Sequence, residues 1–262
     1  MELHDNGLLI NPERINKTMK FMSQREQDDY YRECKRNPSW EWAGVNIEYK
    51  FNEYGHRTKS VADLSHDFVL TFGCSYTEGV GLHHDQTWSW KISKYLETDV
   101  YNAANQGTGC DIQCYQASQW IKNNFPIPKI VIVQWPAHTR KSFIYHNNND
   151  YRFTDRAESR DIDGTWYRKR YIMDYGELHF ANRLWFDHFN LLWKSMNVPV
   201  LNFSWEMDHE RILNSPYRLW VIRCKNGSMK ARDMMHDGKE WHQETVEKLK
   251  GLLSLPDFTH KI

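Results

Sequence analysis

The sequence lacks an excess of either charge, with 34 Lys and Arg set against 34 Asp and Glu in 262 residues. That balance leaves no basic footprint for nucleic acid and no acidic tail, so no nucleic-acid partner is expected. No apolar run approaches the roughly 20 residues that span a bilayer, so no membrane partner is expected either. The opening Met1-Glu2-Leu3-His4-Asp5 lacks the basic region and apolar core of a secretory signal. Cysteine is sparse as well. Cys34, Cys74, Cys110, Cys114 and Cys224 are odd in number and contain no C-x-x-C pair, which reads as reduced thiols outside an oxidising compartment. Cys110 and Cys114 lie four apart, but two thiols fall short of a zinc ligand set. There is no linker, low-complexity tract or internal repeat. These absences describe a soluble protein, expected in the cytoplasm.

Aromatic residues are what the chain has in quantity: 12 Trp and 14 Tyr exceed what a core of this size needs. Some are then expected at exposed surfaces, where large rings favour sugar, ligand or protein contact; the alternative is packing between loops and sheet. The length suits one large domain with an appendage. Residues 1–50 read as a polar N-terminal extension, with an amphipathic helix over about 12–34 and an alternating strand over 45–51.

From residue 51 to 262 strands and helices alternate. Strands are predicted at 67–73, 99–101, 129–135, 198–203 and 219–222. Helices are predicted from Asp85 as N-cap, over 111–123, over 178–196 and over 239–253. The stretch at about 146–176 is polar, aromatic and turn-rich, and reads as an insertion over the sheet. Parallel neighbours need crossover connections, so the pattern implies a three-layer α/β/α sandwich with a mainly parallel sheet.

The organising stretch is Phe68-Val69-Leu70-Thr71-Phe72-Gly73-Cys74-Ser75-Tyr76-Thr77-Glu78-Gly79. Its apolar run breaks at Gly73 and delivers Ser75 to the carboxyl end of a buried strand, where ligands bind in open α/β sheets. The alternative is an ordinary turn in which Ser75 bonds only locally. Two further segments fall at strand ends or helix starts: Asn102-Ala103-Ala104-Asn105-Gln106-Gly107-Thr108-Gly109, and Ala231-Arg232-Asp233-Met234-Met235-His236-Asp237-Gly238. A hydroxyl nucleophile needs a base, an acid to orient that base, and N–H donors where negative charge develops. The three segments together hold all of these.

Gly73-Cys74-Ser75-Tyr76-Thr77 after an apolar strand resembles the first block of the SGNH (GDSL-type) hydrolases. Asn102 with Gly107 resembles the second block, and Asp233-Met234-Met235-His236 the last. Asn52-Glu53-Tyr54-Gly55-His56-Arg57 is similar to a lead-in of one bacterial branch. The resemblance implies a flavodoxin-like fold and a serine esterase acting through an acyl-enzyme, without cofactor or metal. It makes Ser75 the nucleophile, His236 the base and Asp233 its partner, with the N–H groups of Ser75 and Gly107 lining an oxyanion hole.

Two positions depart from the family pattern. Cys74 stands where the first block has Asp. The third block, Gly-x-Asn-Asp, is replaced by Gln134-Trp135-Pro136-Ala137-His138. Loss of one oxyanion donor costs about 10²–10³ in rate, unless Gln134, Asn105 or a backbone N–H substitutes. Cys74 is a rival thiol nucleophile, Asp237 a rival orienting acid, and His83-His84-Asp85 or His236 with His242 a rival metal pattern. His242 itself reads as lying on the outer face of the last helix, capping or solvated. The cluster Tyr167-Arg168-Lys169-Arg170-Tyr171 reads as a solvated edge strand or as a grip on an anionic substrate. Trp135, Trp166 and Tyr167 near the expected site favour an O-acyl ester, such as an acetyl ester, of a carbohydrate or small molecule. The rival function is a binding or structural protein, such as a viral or virion component, that keeps this fold with an impaired site.

Overall fold

The computed structural model describes residues 2–3, 9–10, 13–20, 24–138, 140, 143–147, 150–154, 175–205, 215–224, 230–233 and 236–259. Strands β1 (Glu2–Leu3) and β2 (Leu9–Ile10) pair antiparallel. So do β3 (Thr18–Lys20) and β4 (Glu48–Lys50), with helix α1 (Gln24–Arg36) between them. There follow β5 (Phe68–Phe72), α2 (Ser75–Glu78), α3 (Trp88–Tyr95), β6 (Asp99–Asn102), α4 (Cys110–Lys122) and β7 (Ile130–Gln134). An antiparallel pair, β8 (Phe143–Asn147) and β9 (Asp150–Thr154), precedes α5 (Tyr175–Ser195). The chain then runs through β10 (Val200–Ser204), β11 (Leu219–Val221), α6 (Lys239–Leu253) and α7 (Pro256–Thr259).

Five strands form one sheet in the order β11-β10-β7-β5-β6, and every neighbouring pair is parallel. Counted along the chain within the sheet, this is the 2-1-3-4-5 order of flavodoxin-like folds. Alternation along β5 and β7 builds two cores. Phe68, Leu70, Phe72, Val131 and Val133 pack with Ala117 and Trp120 of α4 and with Phe186, Phe189 and Trp193 of α5. Val69, Ile130 and Ile132 pack on the opposite face with Trp88 and Ile92 of α3 and with Trp241, Val246 and Leu249 of α6. All five residues of β5 and of β7 are buried, as strands covered on both faces should be.

The N-terminal region departs from the predicted amphipathic helix. Asn16 and Lys17 exchange backbone bonds with Asn52 and Phe51 (Asn16 N–H to Asn52 C=O, 3.0 Å; Phe51 N–H to Lys17 C=O, 2.9 Å). That pairing extends into β3 and β4, and the helix starts only at Gln24. Tertiary capture of residues 16–20 outweighs local helix preference. Ile47, Tyr49 and Phe51 alternate inward as predicted and join Tyr30 and Trp42 in a third core, closed by Leu82 and Ala231. Asp85 belongs to a single 3₁₀ turn at His84–Gln86, and Thr87 caps α3 instead, accepting from Trp90 N–H at 3.3 Å. The five cysteines are all free thiols. Among the described residues no helix is long and apolar enough to cross a membrane. The predicted insertion lies partly in β8 and β9; residues 155–174, with Trp166, Tyr167 and the cluster at 167–171, lie outside the described residues.

His242 does not face outward. It is buried, and its Nδ1 accepts the N–H of Trp88 at 3.0 Å, helping to close the open end of α3. Burial first, and then the charge of His236, hold it down to about 3. His56, buried with Nδ1 2.9 Å from the Tyr101 hydroxyl, is held at about 4 by burial and then by Arg14. Unfolding returns both to about 6.5, so below that pH the unfolded chain takes up protons that the folded chain excludes. Stability is therefore full above pH 6.5 and falls as pH drops towards 4, by at most about 1.4 kcal/mol per pH unit for each histidine. Urea midpoints measured across this window should decline. A His242→Gln variant, which keeps a side-chain acceptor, should decline less steeply than the parent.

Candidate active site

Because the sheet is parallel, the carboxyl ends of β5, β6, β7, β10 and β11 lie along one edge. Ser75 leaves β5 there as the first residue of α2, so no helix carbonyl takes its N–H. The turn into α2 requires Gly73: its φ is +157°, and a Cβ would collide with Thr77 Oγ1 and come within 3.2 Å of the Gln134 carbonyl. The far end of α2 is closed by Gly79 at φ +78°. Arg57 closes it further, donating to the carbonyls of Glu78 (3.2 Å), Gly79 (2.7 Å) and Leu82 (2.7 Å). Arg57 is thus a brace for the turn that carries Ser75. In the same lead-in Asn52 Oδ1 accepts the N–H groups of Tyr54 and His56, each at 3.0 Å.

The segment after β6 is tied to the same turn. Asn105 N–H donates to Gly73 C=O at 3.2 Å, and Asn102 Nδ2 donates to Thr77 C=O at 2.9 Å. Gly107 sits in this loop at φ +75°, a left-handed backbone that suits glycine. The Asn105 side chain is buried, and its Nδ2 has no hydrogen-bond partner among the described residues. Gln134 is buried as well, and its Nε2 likewise has no hydrogen-bond partner among the described residues. Its Oε1 accepts Thr77 Oγ1–H at 2.7 Å and Trp88 Nε1–H at 3.2 Å, so its oxygen is engaged in holding α2 to α3. Trp135, expected near the site, is buried among α5 residues and donates Nε1–H to Asn202 Oδ1 at 3.0 Å. It therefore offers no surface to a sugar. Alternation along β7 turns Trp135 into the core one residue after Gln134 faces the other layer.

The loop before α6 completes the group. Asp233 is fully buried; its Oδ1 accepts His236 N–H at 3.1 Å, and its Oδ2 meets His236 Nδ1. On the other side of the ring, His236 Nε2 lies 2.8 Å from Ser75 Oγ. With Nδ1–H directed at the carboxylate, Nε2 is free to accept the serine hydroxyl proton. Asp237 is not the partner of His236, since its carboxylate pairs with Lys230 at 2.7 Å. Cys74, the rival nucleophile, is buried, and Ser75 is the one of the two that meets the imidazole.

Sequence reasoning missed what holds this loop in place. Gly81, three residues beyond α2, accepts Arg232 N–H at 3.1 Å, and its own N–H donates to the Tyr49 hydroxyl at 2.8 Å. Arg232 lies over the Tyr30 ring at 3.9 Å, and Trp42 Nε1–H donates to Lys230 C=O at 3.2 Å. The third core thus packs directly behind the loop that carries Asp233 and His236. Tyr76 stands edge-on to the His236 ring at 5.0 Å, flanked by Trp205 and Trp241. Burial first, then the charge of Asp237, push the Tyr76 hydroxyl up to about 12, so it stays neutral beside the imidazole.

No family model matches the chain, and no curated protein matches it in sequence. Among solved structures it is similar to TesA, at 14% identity and a TM-score of 0.47 over 71% of this chain and 98% of that one. It is similar to the psychrotrophic esterase EstA from Pseudoalteromonas sp., at 11% identity and 0.46 over 72% and 99%. It is also similar to an acetyl xylan esterase, Est2A, from the rumen bacterium Butyrivibrio proteoclasticus, at 13% identity and 0.48 over 72% and 63%. The identities are low, and the flavodoxin-like α/β/α architecture rests on the strand order and parallel pairing of the sheet itself.

Proposed function

We propose that the chain is a serine ester hydrolase of the SGNH type that works through an acyl-enzyme. The observation that carries this is the continuous line of contacts from Ser75 Oγ through the two nitrogens of His236 to the buried Asp233. Ser75 attacks the ester carbonyl carbon while His236 Nε2 takes the hydroxyl proton. Asp233 keeps the imidazole in the tautomer that can accept and stabilises the imidazolium that forms. The tetrahedral oxyanion is met by the N–H groups of Ser75 and Gly107. Asn105 Nδ2 and Gln134 Nε2, both buried with no partner among the described residues, are the side-chain donors on offer in place of the family's absent Asn. His236 returns its proton to the departing alcohol, and water activated by the same nitrogen then releases the acid. The substrate is an O-acyl ester of a small molecule or carbohydrate.

The rival reading, a fold-retaining binding or structural protein, is favoured by one observation: β7 runs out into Gln134, Trp135 and Pro136 where the SGNH pattern carries its oxyanion Asn. Hydrolysis of short-chain nitrophenyl esters decides between the two. The hydrolase reading expects turnover that Ser75→Ala abolishes in protein with an unchanged circular dichroism spectrum. Equal rates in the parent and in Ser75→Ala would reject it.

A further inference from the structure

Glu78 is a carboxylate in an interior position, 1% exposed at the end of the short helix that begins with Ser75. Burying a carboxylate is costly unless it is paired and hydrogen-bonded. Both of its oxygens are engaged. Oε2 accepts the backbone N–H of Gln106 at 3.0 Å, and Oε1 accepts Gln106 Nε2–H at 3.0 Å. Arg14 reaches the same carboxylate from the N-terminal region, with Nη1 3.2 Å from Oε1 and 3.3 Å from Oε2. Its guanidinium also lies over the Phe51 ring at 5.0 Å.

Gln106 directly precedes Gly107, so one side chain joins the helix carrying the nucleophile to the loop carrying an oxyanion N–H. A carboxylate is suited to this task, because it accepts two donors in one plane, and charge-assisted bonds are shorter and stronger than neutral ones. A donor that acts on the transition state must already be fixed when charge develops. We infer that Glu78 is a positioning residue that sets Gly107 against Ser75, and that Arg14, from the N-terminal region, holds the Glu78 side chain in place. This inference rests on the hydrolase reading, since it is the oxyanion that Gly107 would meet.

Three full-length variants test it: Glu78→Gln, Arg14→Ala and the two combined. Hydrogen exchange at the Gln106 amide reads the clamp without any need for activity. Steady-state kinetics on a short-chain nitrophenyl ester read its catalytic effect. Glu78→Gln keeps the shape of the side chain but replaces one acceptor with a donor. It should speed Gln106 exchange and lower kcat about 10- to 100-fold, with KM within about twofold, because the interaction lost is one made in the transition state. Arg14→Ala should move both readouts in the same direction. The combined variant should match Glu78→Gln alone in both readouts, since the contact by which Arg14 reaches this loop runs through the Glu78 carboxylate.

Unchanged exchange at Gln106 in Glu78→Gln would overturn the clamp. Faster exchange with an unchanged kcat, or with KM raised instead, would overturn its positioning role. Multiplying effects in the combined variant would overturn the part assigned to Arg14. A parent protein that exchanges as expected but hydrolyses nothing would remove the hydrolase reading and the positioning role with it, leaving Glu78–Gln106 as a structural bond.

Discussion

Replacing His236 with Ala should lower ester turnover by about 10⁴–10⁶, and the Ser75→Ala, His236→Ala double variant should be no slower than either single. In the proposed relay the floor is shared because Ser75 and His236 act as one unit, the imidazole at 2.8 Å being the acceptor of the serine proton. Asp233→Asn should fall by about 10⁴, since an amide in its place favours the wrong imidazole tautomer. Asp233 is fully buried and also holds the His236 backbone N–H, so this variant should also melt at a lower temperature. Rates measured on variants of matched secondary structure check all three. Losses that multiply across Ser75 and His236 would show that the two do not work together.

Gly81→Ala should damage the site from a residue that has no chemistry of its own. Its φ is +79°, where an L side chain is strained by about 1–2 kcal/mol. A Cβ there would stand 2.7 Å from Ala231 Cβ, 3.0 Å from Asp233 Oδ1 and 3.2 Å from Arg232 N. Overpacking of this kind costs a further 1–3 kcal/mol or so, and relief must come from moving the acid–base loop. The expected outcome is a loss of about 2–5 kcal/mol in urea unfolding together with a fall in kcat. Gly251→Ala is the control: it lies in α6 with nothing within 4 Å of a built Cβ. It should gain about 0.5–1 kcal/mol, as Ala does over Gly inside a helix, and leave turnover alone. A Gly81→Ala protein as stable and active as the parent would mean that the loop is not held by this contact.

Much of the sheet was legible because its strands are buried on both faces and therefore read as unbroken apolar runs, as at 68–72 and 130–134. That Ser75, Asp233 and His236 belong together was legible for another reason: the order of a strand-end Ser, a loop glycine and an Asp-x-x-His pair fits one proposed mechanism. What stayed hidden depends on contacts between distant parts of the chain. Residues 16–20 read as helix because nothing local marks their pairing with residues 48–52. His242 read as capping or solvated on an outer face, because helical position alone does not reveal that Trp88, 154 residues away, directs its N–H at the imidazole. Trp135 read as a ligand platform because a single sequence does not fix which layer a strand-end residue enters. Glu78 passed unnoticed inside the most informative motif, since its partners, Arg14 and Gln106, are 64 and 28 residues away.

Intact-mass and peptide mapping after exposure to a fluorophosphonate probes the central assignment most directly, because such reagents phosphonylate a serine only when a neighbouring base activates it. One adduct per chain, mapped to Ser75 and absent from a folded His236→Ala variant, is the result expected. A folded protein that takes up no label, or takes it at another residue, would contradict the assignment of Ser75, His236 and Asp233 as a working relay.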